Sequence, residues 1–207
     1  MIEIIKSGGF LMIPIFICGI YATYMIFERI FFFASLKRKD DVLAKNLAVT
    51  IESRDFDQAI SHCVESATPY ALMVKKALEF RAYKDDDIRE AVENESRRIM
   101  PLLEKQIQPL GMIASVATLL GLLGTVVGNI EAFAVIGESY SALNPPLIAA
   151  AISKSLVTTA TGIIVAIPAS IFHGVFKAKA NEKITEIESA VTDIILKLSG
   201  RDSMYEI

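Results

Sequence analysis

Residues 110–133 read LGMIASVATLLGLLGTVVGNIEAF. No charge occurs before Glu131, yet the run carries Gly121, Gly124, Gly128, Ser115, Thr118, Thr125 and Asn129. A segment that only had to sit in lipid would be mostly Leu, Ile and Val. Small residues let helices approach closely, and polar groups in hydrocarbon mark interfaces or pathways. Two further charge-free windows lie on either side. Phe10–Phe27, Leu110–Ile130 and Ser155–Phe176 are 18, 21 and 22 residues long. At ~1.5 Å of rise per residue each can cross a hydrocarbon core of ~30 Å, the first with help from flanking residues.

The composition agrees with a membrane protein that also carries a polar block. The chain is 53% hydrophobic and 22% charged, and the two populations are segregated along it. The formal net charge of −3 mixes acids with bases. No basic block interleaved with aromatics points to nucleic acid. Cys18 and Cys63 fall in different regions, so the spacing implies neither a disulfide framework nor a metal pair. Two His with no HExxH, GxSxG or Walker pattern leave no catalytic constellation and no cofactor or metal site. The apolar run after residue 9 is followed by Glu28-Arg29 and aromatics instead of a small-residue cleavage site, so a retained span is expected.

Lys and Arg set the expected topology. Residues 37–105 hold 13 of the 21 basic residues, the link at 137–144 holds none, and the tail after Phe176 holds five. Basic residues favour the cytoplasm, so the N-terminus is expected outside and the C-terminus inside. The expected layout is an all-α, three-span protein whose long helices extend into a cytoplasmic helical domain. A periplasmic lead-in covers 1–9 and the first span 10–33. The cytoplasmic helical domain is 34–108 and the second span 109–136. A periplasmic link covers 137–145, the third span 146–176, and a cytoplasmic helix and tail 177–207.

Within the polar block, Lys37–Ser53 reads as one helix. Asp55 caps a second and Thr68-Pro69 starts a third that runs to about Tyr83. Asp87 with Glu90 resembles a capping box. No Gly interrupts the pattern from there to Gly111, so one very long helix is expected to run into span two, with kinks at Pro101 and Pro109. After Phe176, Ile184, Ile187, Val191, Ile194 and Leu198 form a stripe that requires a partner helix.

Four features could carry function. Gly121, Gly124 and Gly128, with Gly162 in span three, suit close helix packing. Ser115, Thr118, Thr125 and Asn129 share one face of span two. Ser155, Thr159 and Gly162 share a face of span three, with Thr158 beside it. A lone hydroxyl in a membrane helix bonds its own backbone, but two stripes on adjacent spans suit a water-filled or cation path. The candidate pathway residues are therefore Thr118, Thr125, Asn129, Ser155, Thr158 and Thr159. Glu131 and Lys154 fall at similar depth near the outer third, where they either pair or snorkel to water independently. His173 sits near the inner end of span three. No span has an acid at its middle, so a titrating carboxylate for proton transfer must come from another chain.

The runs ATLLGLLGTVVGNIEAF and AISKSLVTTATGIIVAIPA, with TTATG followed by AIPA, resemble the MotA/TolQ/ExbB proton-channel family. Three spans with a large loop after the first look closer to ExbB and TolQ than to four-span MotA. The resemblance covers essentially the whole chain and is specific in spans two and three. It implies a homopentamer in the bacterial inner membrane whose second and third spans line a pore. Two single-span ExbD/TolR-like partners would stand in that pore, the partner's membrane aspartate would carry the proton, and the flow would drive a TonB- or TolA-like protein. The family's pore threonines fall on Thr125 and Thr159. Two positions depart from the pattern: Lys154 stands where a glutamate is usual, and Thr118 where proline is common. The extra hydroxyls Thr158 and Thr161 leave a sodium-driven variant open. A gliding- or defence-type motor subunit, or a non-conducting membrane scaffold, are the alternative readings.

Overall fold

The computed structural model describes residues 9–138 and 145–198. These residues form six α-helices: α1 Met12–Glu52, α2 Phe56–Ser66, α3 Pro69–Glu79, α4 Asp85–Glu104, α5 Ile107–Glu138 and α6 Pro145–Leu198. No strand occurs among the described residues. The all-α class and three spans expected from the sequence are found: α1, α5 and α6 are long and apolar enough to cross a membrane. The lead-in up to residue 8, the link residues 139–144 and the tail residues 199–207 lie outside the described residues.

Local chemistry explains most boundaries. Lys37–Ser53 is not a separate helix but the continuation of α1, because neither Gly nor Pro interrupts the chain between Gly19 and Glu52. The helix stops where Arg54 turns to φ 57°. Asp55 then caps α2 by accepting from Gln58 N at 3.1 Å. Thr68 caps α3 by accepting from Ala71 N at 3.2 Å, with Pro69 in the first turn. That helix ends at Glu79, four residues short of the expected Tyr83, in a turn closed by Tyr83 N donating to Phe80 O at 2.9 Å.

Two expectations are corrected. The Asp87–Glu90 box does not open α4. The helix begins at Asp85, with Lys84 as an N-cap that makes no side-chain bond. Asp86 and Asp87 thereby fall in the first turn, where the helix dipole favours acids. Nor does one unbroken helix run from here into span two. The chain breaks at Lys105–Gln106, where Gln106 takes φ 67°. Pro109 supplies the reason, since its ring collides with the carbonyl four residues back, at Lys105, and it has no N–H to offer it. Pro101 stays inside α4.

The chain divides into two units, Met1–Glu28 with Gln106–Val175, and Arg29–Lys105 with Phe176–Ile207. In the first, Met12, Ile15, Met25, Ile107 and Leu110 are buried, and the rest of the interior is built of small side chains. Ala114, Ala117, Ala132, Ala151, Ala166 and Ala169 are buried, while Leu119, Ile130, Phe133, Leu156 and Ile164 are exposed. Small buried residues along α5 and α6, with many bulky apolar side chains turned outward, suit a helix bundle in lipid, where close packing replaces the hydrophobic effect as the cohesive force. Gly19 of α1 lets Val165 of α6 approach, a Cβ there falling 3.2 Å from Val165 Cγ2.

The second unit has an ordinary apolar core. Leu43, Leu47, Met73, Val74, Leu78, Leu103, Ile187 and Val191 are buried, and α3 packs on both α2 and α4. Of the expected stripe on α6, Ile187, Val191 and Ile194 are buried and Ile184 is half-buried. Phe33 and Phe176 stack at 6.2 Å. Arg29 is only 2% exposed; it donates to Leu103 O at 3.4 Å and lies 4.3 Å from the Phe32 ring centroid. It thereby serves a carbonyl at the C-terminal end of α4, where helix carbonyls lack partners. Asp40 is buried, with Lys183 Nζ 3.1 Å from its Oδ2. Burial alone would depress the Lys183 ammonium, but its hydrogen bond to Glu186 and the neighbouring Asp40 carboxylate outweigh it and raise its pKa. Burial pushes the Cys63 thiol up to about 11, leaving it an inert core group.

Candidate ion pathway

The site rests on a seam of small residues between α5 and α6. A Cβ added at Gly121 would meet Thr159 O at 3.2 Å, and one at Gly124 would fall 2.5 Å from Thr158 Cγ2. At Gly128 it would fall 2.3 Å from Ser155 Cβ, and at Gly162 it would lie 2.6 Å from Ala117 O. All four glycines thus lie where the two helices touch. Ser155 and Thr158 fill the space the glycines leave and are 3% and 1% exposed. Of the six candidate pathway residues, these two lie inside the seam.

The other four lie along one flank of it. At about 100° per residue, Thr118, Thr125 and Asn129 sit to one side of the α5 glycines. Thr118 and Asn129 are exposed, Thr125 half-buried, and Ser115 continues the exposed stripe. On α6, Thr159 leans the same way. Its Oγ1 lies 2.7 Å from Gly121 O across the seam and 3.1 Å from Ser155 O on its own helix. Ser170 continues that side and is exposed.

The hydroxyl protons are already committed. Thr125 donates to Leu122 O at 2.6 Å and Thr118 to Ala114 O at 3.0 Å. Ser155 donates to Ile152 O at 2.8 Å, Thr158 to Lys154 O at 3.0 Å and Thr161 to Val157 O at 2.8 Å. A hydroxyl whose proton is held by its own helix still offers oxygen lone pairs. The exposed members of the stripe therefore present acceptors, which suits a cation, a protonated group or a water chain.

Glu131 and Lys154 occupy the opposite flank. Lys154 Nζ lies 3.0 Å from Glu131 Oε1 and 2.9 Å from Oε2, a two-pronged ion pair between α5 and α6. It borders a cavity of about 210 Å³ with Gly9, Phe10, Leu11, Ser155 and Thr158. Gly9 takes φ 74°, and a Cβ there would fall 2.5 Å from Lys154 Cε. The chain entering α1 therefore lies against the lysine stem. The pair faces α1, and the hydroxyl stripe faces away from it. Among the described residues the stripe carries no carboxylate, and no group of three His, Cys, Asp or Glu could hold a metal ion. His173 packs half-buried against Gly111, where a Cβ would lie 2.9 Å from its ring.

Sequence reasoning missed the seating of Gly9 on Lys154 and the bond from Thr159 to Gly121 O. Gly8-Gly9 was a visible signal for the first, but its register against Lys154 is tertiary. Charge swaps test the pair. Lys154→Glu places two carboxylates together and is expected to lower the thermal midpoint, as is Glu131→Lys. Combining them is expected to recover most of the loss in detergent melts. A double variant no more stable than the singles would show that the two side chains are not coupled.

Polar stripes on a small-residue seam, within three membrane-length helices, define a helical membrane protein. The family model for the MotA/TolQ/ExbB proton channel family matches residues 65–189, and the chain belongs to that family. Over 174 residues it is 28% identical to a putative biopolymer transport protein ExbB-like 3 of Synechocystis sp., covering 83% of this chain and 82% of the relative. It is 31% identical over 119 residues to the biopolymer transport protein ExbB of Aquifex aeolicus, 58% of this chain and 76% of the relative. A putative ExbB-like 1 protein of Helicobacter pylori is 31% identical over 156 residues, 72% of this chain and 78% of the relative. The chain is thus a multi-pass membrane protein of a family of channel and transport subunits.

Proposed function

We propose that this chain is the channel-forming subunit of an ion-driven motor of the bacterial inner membrane. It assembles as a homopentamer, N-terminus periplasmic and C-terminus cytoplasmic, and lines a pore with α5 and α6. An ExbD/TolR-like single-span dimer stands in the pore. Ion flow energises a TonB- or TolA-like protein for transport across, or maintenance of, the outer membrane. The observation that carries this reading is the stripe of exposed Thr118 and Asn129 with half-buried Thr125, beside Thr159. Polar groups facing lipid are costly, so this flank calls for a covering of protein or water. An oligomer with the stripe turned inward supplies it.

The chemistry assigns the work between the subunits. Hydroxyl acceptors conduct or coordinate but do not titrate near neutral pH. Glu131 is tied to Lys154 on the other flank. The titrating carboxylate therefore belongs to the partner span. The test is ion flux into vesicles carrying this chain alone or with a single-span partner bearing one membrane aspartate. Flux is expected only with the partner and is expected to vanish when that aspartate becomes asparagine. Running proton and sodium gradients in parallel identifies the ion. Equal flux without the partner would overturn the proposal, and no flux in any combination would favour a scaffold.

A further inference from the structure

A cavity of about 470 Å³ lies between α1 and α2, far in sequence from the ion pathway. Arg38, Lys39 and Asn46 line it from α1, and His62, Glu65 and Ser66 from α2. Val42 and Leu43 add an apolar wall, and Ser35 lies at its edge toward the span. The two bases are electrostatically uncommitted. The neighbouring Asp40 is turned into the core, where it pairs with Lys183. Neither Arg38 nor Lys39 makes an ion pair among the described residues, and the side chains of Ser35, Asn46, His62 and Ser66 make no hydrogen bond among them. The cleft is thus a concave, solvent-facing set of donors not committed to other side chains, with one acid, Glu65, on its far wall.

Its place along α1 limits what reaches it. The exposed apolar run of the helix ends with Phe31, and Ser35, Arg38 and Lys39 follow within about two turns, or ~12 Å. When α1 crosses the membrane, the part of the proposed function on which this inference rests, lipid headgroups occupy only ~5–7 Å beyond the hydrocarbon edge, and the long Arg38 and Lys39 side chains reach back to them. We infer that the cleft holds the phosphodiester of an anionic phospholipid head. Arg38 and Lys39 face the phosphate oxygens with Ser35 beside them, and His62, Glu65 and Ser66 form the opposite wall. Glu65 opposes a free, doubly charged phosphate but accepts from the hydroxyls of a glycerol head. Val42 and Leu43 take the apolar part of the glycerol.

The test measures binding of dioleoylphosphatidylglycerol to the full chain purified in detergent, by native mass spectrometry and by the shift in thermal midpoint. Phosphatidylcholine and inorganic phosphate serve as comparison probes. Phosphatidylglycerol is expected to bind and stabilise, with phosphatidylcholine much weaker. The double variant R38Q/K39Q is expected to lose about thirtyfold in affinity, at about fivefold for each base near the surface. Both side chains are exposed, so its unliganded melting should be unchanged. K177Q/K179Q, which removes two bases from α6, is expected to bind as the unsubstituted chain does. Undiminished binding to R38Q/K39Q, or an equal loss in K177Q/K179Q, would overturn the site. Displacement of the lipid by inorganic phosphate at low concentration would overturn the lipid as its source. None of these readouts involves ion flux, so failure of the motor assay leaves them interpretable.

Discussion

Replacing Gly162 by valine is expected to leave little folded protein. A Cβ at this position would lie 2.6 Å from Ala117 O, 2.9 Å from Gly121 Cα and 3.2 Å from Gly121 N. All three are backbone atoms of α5, so no side-chain rotation relieves the contact. Overpacking usually costs about 1–3 kcal/mol where side chains can yield. Here the helices themselves must separate, which also loosens the Gly124–Thr158 and Gly128–Ser155 contacts and the Thr159 bond to Gly121 O. The cost should reach or exceed the top of that range. Two other glycines calibrate the effect. A Cβ added at Gly174 would meet nothing within 4 Å, so Gly174→Ala should be neutral or stabilising by up to about 1 kcal/mol through helix propensity. Gly111→Ala meets only the His173 ring and should fall between them. Far-UV circular dichroism during heating in detergent ranks the three. Similar midpoints for the Gly162 and Gly174 variants would contradict the seam.

Thr159→Val is expected to lower flux at least tenfold while leaving assembly intact. The two side chains have nearly the same shape, so packing changes little. What is lost is one hydroxyl that bridges Gly121 O and Ser155 O. Hydrogen bonds between membrane helices are worth about 0.6 kcal/mol on average and at most about 1.7. A loss of that size does not unfold a three-span bundle. A missing acceptor in a cation path raises the barrier directly, and about 1.4 kcal/mol there is already a factor of ten in rate. Thr159→Ser, which keeps the oxygen, should retain most of the flux. The comparison separates chemistry from shape: both variants remove or replace one group, but only one removes the oxygen. Flux in Thr159→Val equal to that of the unsubstituted chain would remove Thr159 from the pathway.

Much of this could be read before the fold was known, for identifiable reasons. Charge-free windows of membrane length made three spans legible, and Gly121, Gly124 and Gly128 at helical spacing marked the seam. Thr68-Pro69 and Asp55 are caps whose chemistry is local, so their positions were readable too. The break at Lys105–Gln106 was harder, because Pro109 disrupts a carbonyl four residues upstream and kinks and breaks look alike in sequence. Ser155 and Thr158 share a helical stripe with Thr159, and only the register of α6 on α5 separates buried from exposed members. Glu131 and Lys154 were visible as charges at similar depth. That they lie on the flank facing α1, against Gly9, depends on the placement of a third helix and has no local signature.

The central claim is that ions pass along the flank carrying Thr118, Thr125 and Thr159. Cysteine accessibility during flux tests it most directly. In a chain with Cys18 and Cys63 replaced by alanine, Thr125→Cys and Ile130→Cys are compared in partner-loaded vesicles. Ile130 is exposed on α5 but well away from the stripe. A water-soluble, positively charged thiol reagent is expected to block flux through Thr125→Cys and to leave Ile130→Cys conducting. Block at Ile130→Cys with Thr125→Cys unaffected would contradict the account.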